Sequence, residues 1–211
     1  MGQTILALAK DDPKIEISGQ CDLGDAIGST MSSCDVAIDF SHPGATEEVC
    51  SAAVKQGKAL VIGTTGHSTE QRQLIEQTAG SVPVVFASNF SVGVNALFAL
   101  TRRAAEILGN DFTPQISETH HTRKKDAPSG TAKTLAEILS QSGKPDVSIE
   151  SIRQGEVVGE HTIIFSGPEE RLELTHRAGS REIFARGALR AAEWIADKPP
   201  GFYSMQDVLG I

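Results

Sequence analysis

The rhythm of apolar and polar positions changes about halfway along the chain. In the first half, short apolar runs alternate with segments of helical period. Ile5, Leu6 and Leu8, with Ala7 and Ala9, predict a short helix ending near Lys10, followed by an Asp11-Asp12-Pro13 turn. Residues 14–21 alternate around Ile15 and Ile17 and predict a strand ending at Asp22. Residues 36–40 predict a second strand, 44–55 a helix, 59–62 a strand of the fully buried type, 69–79 a helix, and 82–87 another buried strand. Strand and helix alternating at this spacing is the pattern of a parallel sheet with helical crossovers. Ligands of such sheets lie beyond the carboxyl ends of the strands. Asp22, Ser41, Gly63 to Thr65 and Ser88-Asn89 are then expected along one edge.

The second half reads differently. Residues 93–108 predict a long helix with Leu97, Leu100, Ala104 and Leu108 in period. Residues 114–118, 147–153, 160–166 and 172–178 alternate and predict the strands of a mixed or antiparallel sheet. A helix over 187–196 carries Trp194, and Ser204-x-x-Asp207 resembles the capping box of a final short element. The fold class expected is α/β, a Rossmann-like parallel-sheet domain plus an α+β domain with a mixed sheet.

Composition narrows the function classes. The 211 residues allow one large domain or two small ones, and a net charge of −8 argues against nucleic acid as a partner. No apolar run reaches the length of a membrane span, and Met1-Gly2-Gln3-Thr4 has neither a basic nor an apolar leader region. Cys21, Cys34 and Cys50 are an odd number without metal-type spacing, which fits reduced thiols in a cytoplasmic protein.

One run carries chemistry: Glu118-Thr119-His120-His121-Thr122-Arg123-Lys124-Lys125-Asp126-Ala127-Pro128-Ser129-Gly130-Thr131-Ala132. It follows a predicted strand and ends where a helical period begins, with Ala132, Leu135, Ala136, Ile138 and Leu139 on one face. Ser129 is a candidate N-cap. Gly130 and Thr131 fall in the first turn, where free backbone N–H groups and the helix dipole favour an anion. Two imidazoles and three cations lie just upstream. The order suits a small carboxylate that must be protonated during reaction. Taken singly, each piece has a plainer reading: a solvated basic loop, two histidines on opposite faces, a simple cap.

The run Glu-x-His-His-x-x-Lys-x-Asp-Ala-Pro-Ser-Gly-Thr-Ala resembles the signature of the 4-hydroxy-tetrahydrodipicolinate (dihydrodipicolinate) reductase family. Gly155-Glu156-Val157-Val158-Gly159-Glu160-His161 also looks like that family's loop before the central strands. The resemblance implies NAD(P)H-dependent reduction of a small cyclic dicarboxylate in the diaminopimelate and lysine pathway. It implies His120 as general acid/base, Lys124 as second proton donor, His121 as a substrate contact, and Gly130 with Thr131 as the grip on one carboxylate. It further implies Gly63-Thr64-Thr65 and Ala87-Ser88-Asn89-Phe90 as loops on the nicotinamide side, and a homotetramer. The domains expected on this basis are 1–90 for the dinucleotide, 91–186 for substrate and oligomerisation, and 187–211 returning to the first. No metal is expected. His42, His67, His161 and His176 are assigned no catalytic role.

The chain begins at a helix, where a dinucleotide-binding unit would open with a strand and a glycine turn. Met1-Gly2 looks like the tail of the family's Arg-Met-Gly turn, and an acidic ribose ligand is due about 20 residues on, where Asp22 stands. The expectation is a chain lacking about ten residues, the first strand and most of the phosphate loop. At the next position the family places an Arg for the 2′-phosphate, and here stands Leu23. NADH is therefore expected over NADPH, with NADPH as the second option. The alternatives left open are a truncated or non-catalytic paralogue that binds a dicarboxylate but turns over poorly, a metal hydrolase built on His120 and His121, and another dehydrogenase of the same architecture.

Overall fold

The continuous apolar runs form one parallel sheet. Val36–Asp39 (β1), Ala59–Ile62 (β2) and Pro83–Phe86 (β3) lie side by side, with Asp39 beside Ile62 and Ile62 beside Phe86 at their carboxyl ends. All four residues of β2 are buried, because it is covered on both faces. Leu60 and Ile62 pack with Val49, Ala53 and Ile75, whereas Val61 faces Phe90, Ala188 and Ile195. The computed structural model describes residues 1–211 and divides into two units, Met1–Ser91 with Glu182–Gly210, and Val92–Arg181 with Ile211.

In the first unit the helices Gly2–Ala9 (α1), Thr46–Gln56 (α3) and Thr69–Thr78 (α4) occupy the segments whose period predicts them. Two further elements escaped the pattern. Ile27–Met31 (α2) has five residues and no side-chain cap, too short to display a period. Gly201–Tyr203 (β8) extends the sheet alongside β3. It follows two prolines and is a strand only because the edge of β3 offers it hydrogen-bonding partners. The helix Glu182–Ile195 (α7) starts five residues before the expected 187.

The expected strand over residues 14–21 is absent. Alternation alone does not make a strand; the backbone needs a neighbour, and none pairs with these residues. Ile15 packs against the core, whereas Ile17 stays exposed. Asp22 therefore lies in an exposed turn rather than at a strand end.

The second unit is built on Thr113–His120 (β4), the longest strand. Ser148–Arg153 (β5) pairs with it in parallel, Glu160–Ser166 (β6) antiparallel, and Arg171–Arg177 (β7) continues from β6. The order β5-β4-β6-β7 makes the mixed sheet that alternation allowed. Val92–Leu108 (α5) and Gly130–Gln141 (α6) cover one face, where Leu97, Phe98 and Leu139 meet Ile116, Ile163 and Phe165. Toward the carboxyl end of β4 that apolar face gives way to Glu118 and His120.

Candidate active site

Strand register assembles the site in the second unit. Pro114, Ile116, Glu118 and His120 all turn to the covered face of β4. Glu118 stands beside Ser151 on β5 and His161 on β6, and His161 stands beside His176 on β7. One row across four strands thus holds a carboxylate, a hydroxyl and two imidazoles. In the next row His120 is beside Arg153.

Glu118 is 0% exposed, and its two oxygens have different company. Oε1 accepts from the Arg153 guanidinium at 3.0 Å and from the Ser129 backbone N–H at 3.2 Å. Oε2 lies 2.5 Å from Nδ1 of His120, approaching obliquely to the ring N–H axis. Burial alone would raise the Glu118 carboxyl; hydrogen bonds from Ser151 and Arg153, the adjacent His120 and the Ser129 N–H outweigh it and hold the pKa below the ordinary value. Glu118 is a buried anion.

His120 is 8% exposed. Burial lowers its pKa, Glu118 offsets part of that, and Lys124 and Arg153 add to the lowering. Gly159 sits beside the opposite ring edge, where a Cβ would stand 3.1 Å from Nε2. Only glycine leaves that edge uncrowded. His161 meets the His120 ring edge-on at 5.0 Å, and its Nε2 lies 3.1 Å from Ser129 Oγ. Burial, then repulsion from His120, depresses the His161 pKa to about 4.

The loop after β4 leads to α6. Ser129 caps that helix, its Oγ accepting the Ala132 N–H at 3.2 Å, so Gly130 and Thr131 occupy the first turn as expected. Ser129 joins the two features: its N–H binds the carboxylate that touches His120. Lys124 is paired with Asp126 at 2.8 Å, and Arg153 also donates to the Asp126 carbonyl at 2.6 Å. Arg123 makes a two-pronged, exposed pair with Glu156. His121 follows the strand, and the neighbouring backbone is tied to the 154–155 turn through Gln154 N–H to His120 O and Thr122 N–H to Gly155 O.

Glu118, His120 and His161 present ligand atoms within 4.8 Å of one another, a set that could hold a cation. The Arg153 guanidinium on the same carboxylate opposes one. This set is not the His120–His121 pair weighed from the sequence. Glu118, Arg153 and His161 join the cluster around His120, a grouping that sequence reading alone does not give. Their proximity depends on β4–β5 and β4–β6 register, which no local spacing encodes; the Glu-x-His-His and Gly-Glu-His strings were the available signals.

The expected cofactor residues lie in the first unit. Gly2 opens α1, whose Ile5 and Ala9 are buried. Gly63 follows β2 directly beneath the Phe40 ring, which a Cβ there would strike. The Thr64 hydroxyl is buried without a partner, and Thr65 is exposed. Ala87, Ser88, Asn89 and Phe90 follow β3; Asn89 Oδ1 accepts the Ser91 N–H at 2.9 Å, and Phe90 is buried. Gly187 of α7 packs on the Phe90 carbonyl, where a Cβ would collide. A glycine turn and an unpartnered buried hydroxyl at the carboxyl edge of a parallel sheet fit a dinucleotide. Asp22 accepts the Leu23 N–H and donates its own N–H to Asp25, each at 2.8 Å. No cation pairs with either carboxylate, and Leu23 is fully exposed.

Comparison with known proteins bears on all of this. Residues 1–90 match the family model described as dihydrodipicolinate reductase, N-terminus, and residues 93–209 match its C-terminus. A 4-hydroxy-tetrahydrodipicolinate reductase of Akkermansia muciniphila is 48% identical, covering 100% of this chain and 94% of its own length. One of Syntrophotalea carbinolica is 43% identical over 88% of this chain and 77% of its own. Among solved structures, a dipicolinate-bound dihydrodipicolinate reductase from Paenisporosarcina superposes with a TM-score of 0.78 at 22% identity, covering 98% of this chain and 94% of that one. No helix is long and apolar enough to cross a membrane. Two family models that together account for nearly every residue, with relatives above 40% identity, establish that the chain belongs to the dihydrodipicolinate reductase family, a family of oxidoreductases.

Proposed function

We propose that the protein reduces 4-hydroxy-tetrahydrodipicolinate to tetrahydrodipicolinate in diaminopimelate and lysine biosynthesis, with NADH preferred to NADPH. The observation that carries this reading is the contact chain from the α6 N-terminus through Glu118 to His120. It brings an anion-favouring helix start and a titratable imidazole into one polar cluster on an otherwise apolar face.

When bound, the reduced nicotinamide supplies the hydride; Gly63, Thr64, Thr65 and the 87–90 loop would hold it, with Gly2 toward the phosphates and Asp22 on the adenine ribose. The chain's own residues supply the rest. The Gly130 and Thr131 N–H groups receive a substrate carboxylate, assisted by the helix dipole. His121 contacts the substrate. A dianion beside His120 raises its pKa against burial and the nearby cations, so that Nε2 gains a proton to donate. Lys124, held by Asp126, stabilises negative charge developing on the ring and serves as second proton donor. Asp22 and Asp25 present two carboxylates and no cation where NADPH would bring a phosphate, which favours NADH. A cytoplasmic homotetramer follows from the resemblance, and sedimentation would read the assembly state.

The test is initial-rate reduction of enzymatically generated 4-hydroxy-tetrahydrodipicolinate with each nucleotide. Substrate-dependent oxidation with kcat/KM higher for NADH supports the reading. Dicarboxylate binding without oxidation of either nucleotide would favour the non-catalytic alternative.

A further inference from the structure

Glu118 is the one anion against His120. The groups facing that imidazole are Glu118 on its own strand, Arg153 on β5, His161 on β6 and Lys124 on the loop. Two of them are cations, and His161 is neutral near pH 7. Two bare lone pairs cannot rest 2.5 Å apart, so with Glu118 ionised Nδ1 carries the ring proton, even though its N–H axis is oblique to Oε2 and forms no directional hydrogen bond. The carboxylate cannot turn away, because its other oxygen is held by the Arg153 guanidinium and the Ser129 N–H.

We infer that Glu118 is a positioning residue for the reaction: it fixes the Nδ1–H tautomer of His120, leaves Nε2 as the edge that takes up and delivers the proton beside Gly159, and balances the imidazolium. The inference rests on the reductase reading for its kinetic consequence but not for the tautomer. In the step concerned, Nε2–H breaks as the proton passes to substrate, and the ring returns to neutral with its proton still on Nδ1 beside the carboxylate. Glu118 itself takes no proton.

The Glu118→Gln substitution gives an unusually specific expectation. Its single side-chain oxygen is claimed by the two donors now on Oε1, Arg153 and the Ser129 N–H. The amide NH2 must then face Nδ1, which becomes an acceptor, and the neutral ring carries its proton on Nε2. Long-range 1H–15N NMR of ring-labelled protein reads the tautomer directly, without substrate. The full chain is expected to show Nδ1–H for His120 and E118Q to show Nε2–H. In kinetics, E118Q is expected to lose kcat by about 10²-fold or more while KM changes little, with Glu118→Asp recovering most of the loss because it restores the anion. An Nε2–H tautomer in the unsubstituted chain would overturn the proposal, and that measurement needs no variant to fold. A folded E118Q with unchanged tautomer or unchanged kcat would overturn it equally. Absence of any reductase activity in the unsubstituted chain would instead defeat the functional reading and leave the tautomer result standing.

Discussion

Acid should destabilise this fold through His161 by an amount the structure sets. The side chain is 4% exposed, packed between Glu118, His120, Ser129 and His176. Its pKa falls from 6.5 to about 4, chiefly through burial, with repulsion from His120 and His176 adding to the effect. The unfolded chain binds a proton near pH 6.5 and the folded one resists it until about pH 4. Between those values the unfolded state holds more protons, so stability falls as pH falls. At about 1.36 kcal/mol per unit, a shift of roughly 2.5 units corresponds to about 3 kcal/mol lost between pH 7 and pH 4. Other groups titrate over the same range, so the quantity to measure is a difference. Urea unfolding followed by circular dichroism, at several pH values, should be compared for the unsubstituted chain and His161→Gln. The glutamine variant pays a constant penalty for its altered contact with Ser129. Its stability should approach that of the parent by about 3 kcal/mol on going from pH 7 to pH 4. A gap that stays constant within about 0.5 kcal/mol would refute the assignment of a neutral, proton-resisting His161.

Leu23→Arg should shift nucleotide preference toward NADPH, read as the ratio of kcat/KM values, because it supplies a cation beside Asp22 and Asp25 that the turn lacks; an unchanged ratio would show that the ribose phosphate lies elsewhere. Gly187→Ala should destabilise the first unit by about 1–3 kcal/mol or more in thermal or urea unfolding, since its methyl would meet the Phe90 carbonyl and push α7 off the 87–90 loop. Arg123→Ala should leave the urea unfolding midpoint nearly unchanged despite its two-pronged contact with Glu156, because both partners are exposed and screened by water; a clear fall in the midpoint would assign that pair a structural role.

The sequence was most legible where structure is local. Ser129 caps α6 and Ser204 with Asp207 forms the capping box of Met205–Leu209 (α8), because a cap is decided within four residues. The run at 59–62 was legible for another reason: four consecutive apolar residues fit a strand covered on both faces, which β2 is. Residues 14–21 form no strand because a strand is a property of two segments, and no segment pairs with them. β8 escaped for the converse reason: three residues become a strand by lying against β3. The site divides along the same line. His120, Lys124, Gly130 and Thr131 stand close in sequence and can be read together as candidates. Glu118 was in view as part of the string, but its contact with Arg153, 35 positions away, and its place opposite His161 exist only through register. Burial then changes their chemistry: a strand histidine becomes a base held neutral, and a strand glutamate becomes the anion of the site.

The central claim is proton delivery by His120 in a nicotinamide-dependent reduction. The most direct measurement is kcat for NADH-dependent reduction of 4-hydroxy-tetrahydrodipicolinate by the unsubstituted chain and by His120→Gln, with dicarboxylate affinity determined calorimetrically on both. The account predicts a loss in kcat of about 10²–10⁴-fold with binding largely retained. A variant that reduces the substrate as fast as its parent would contradict it.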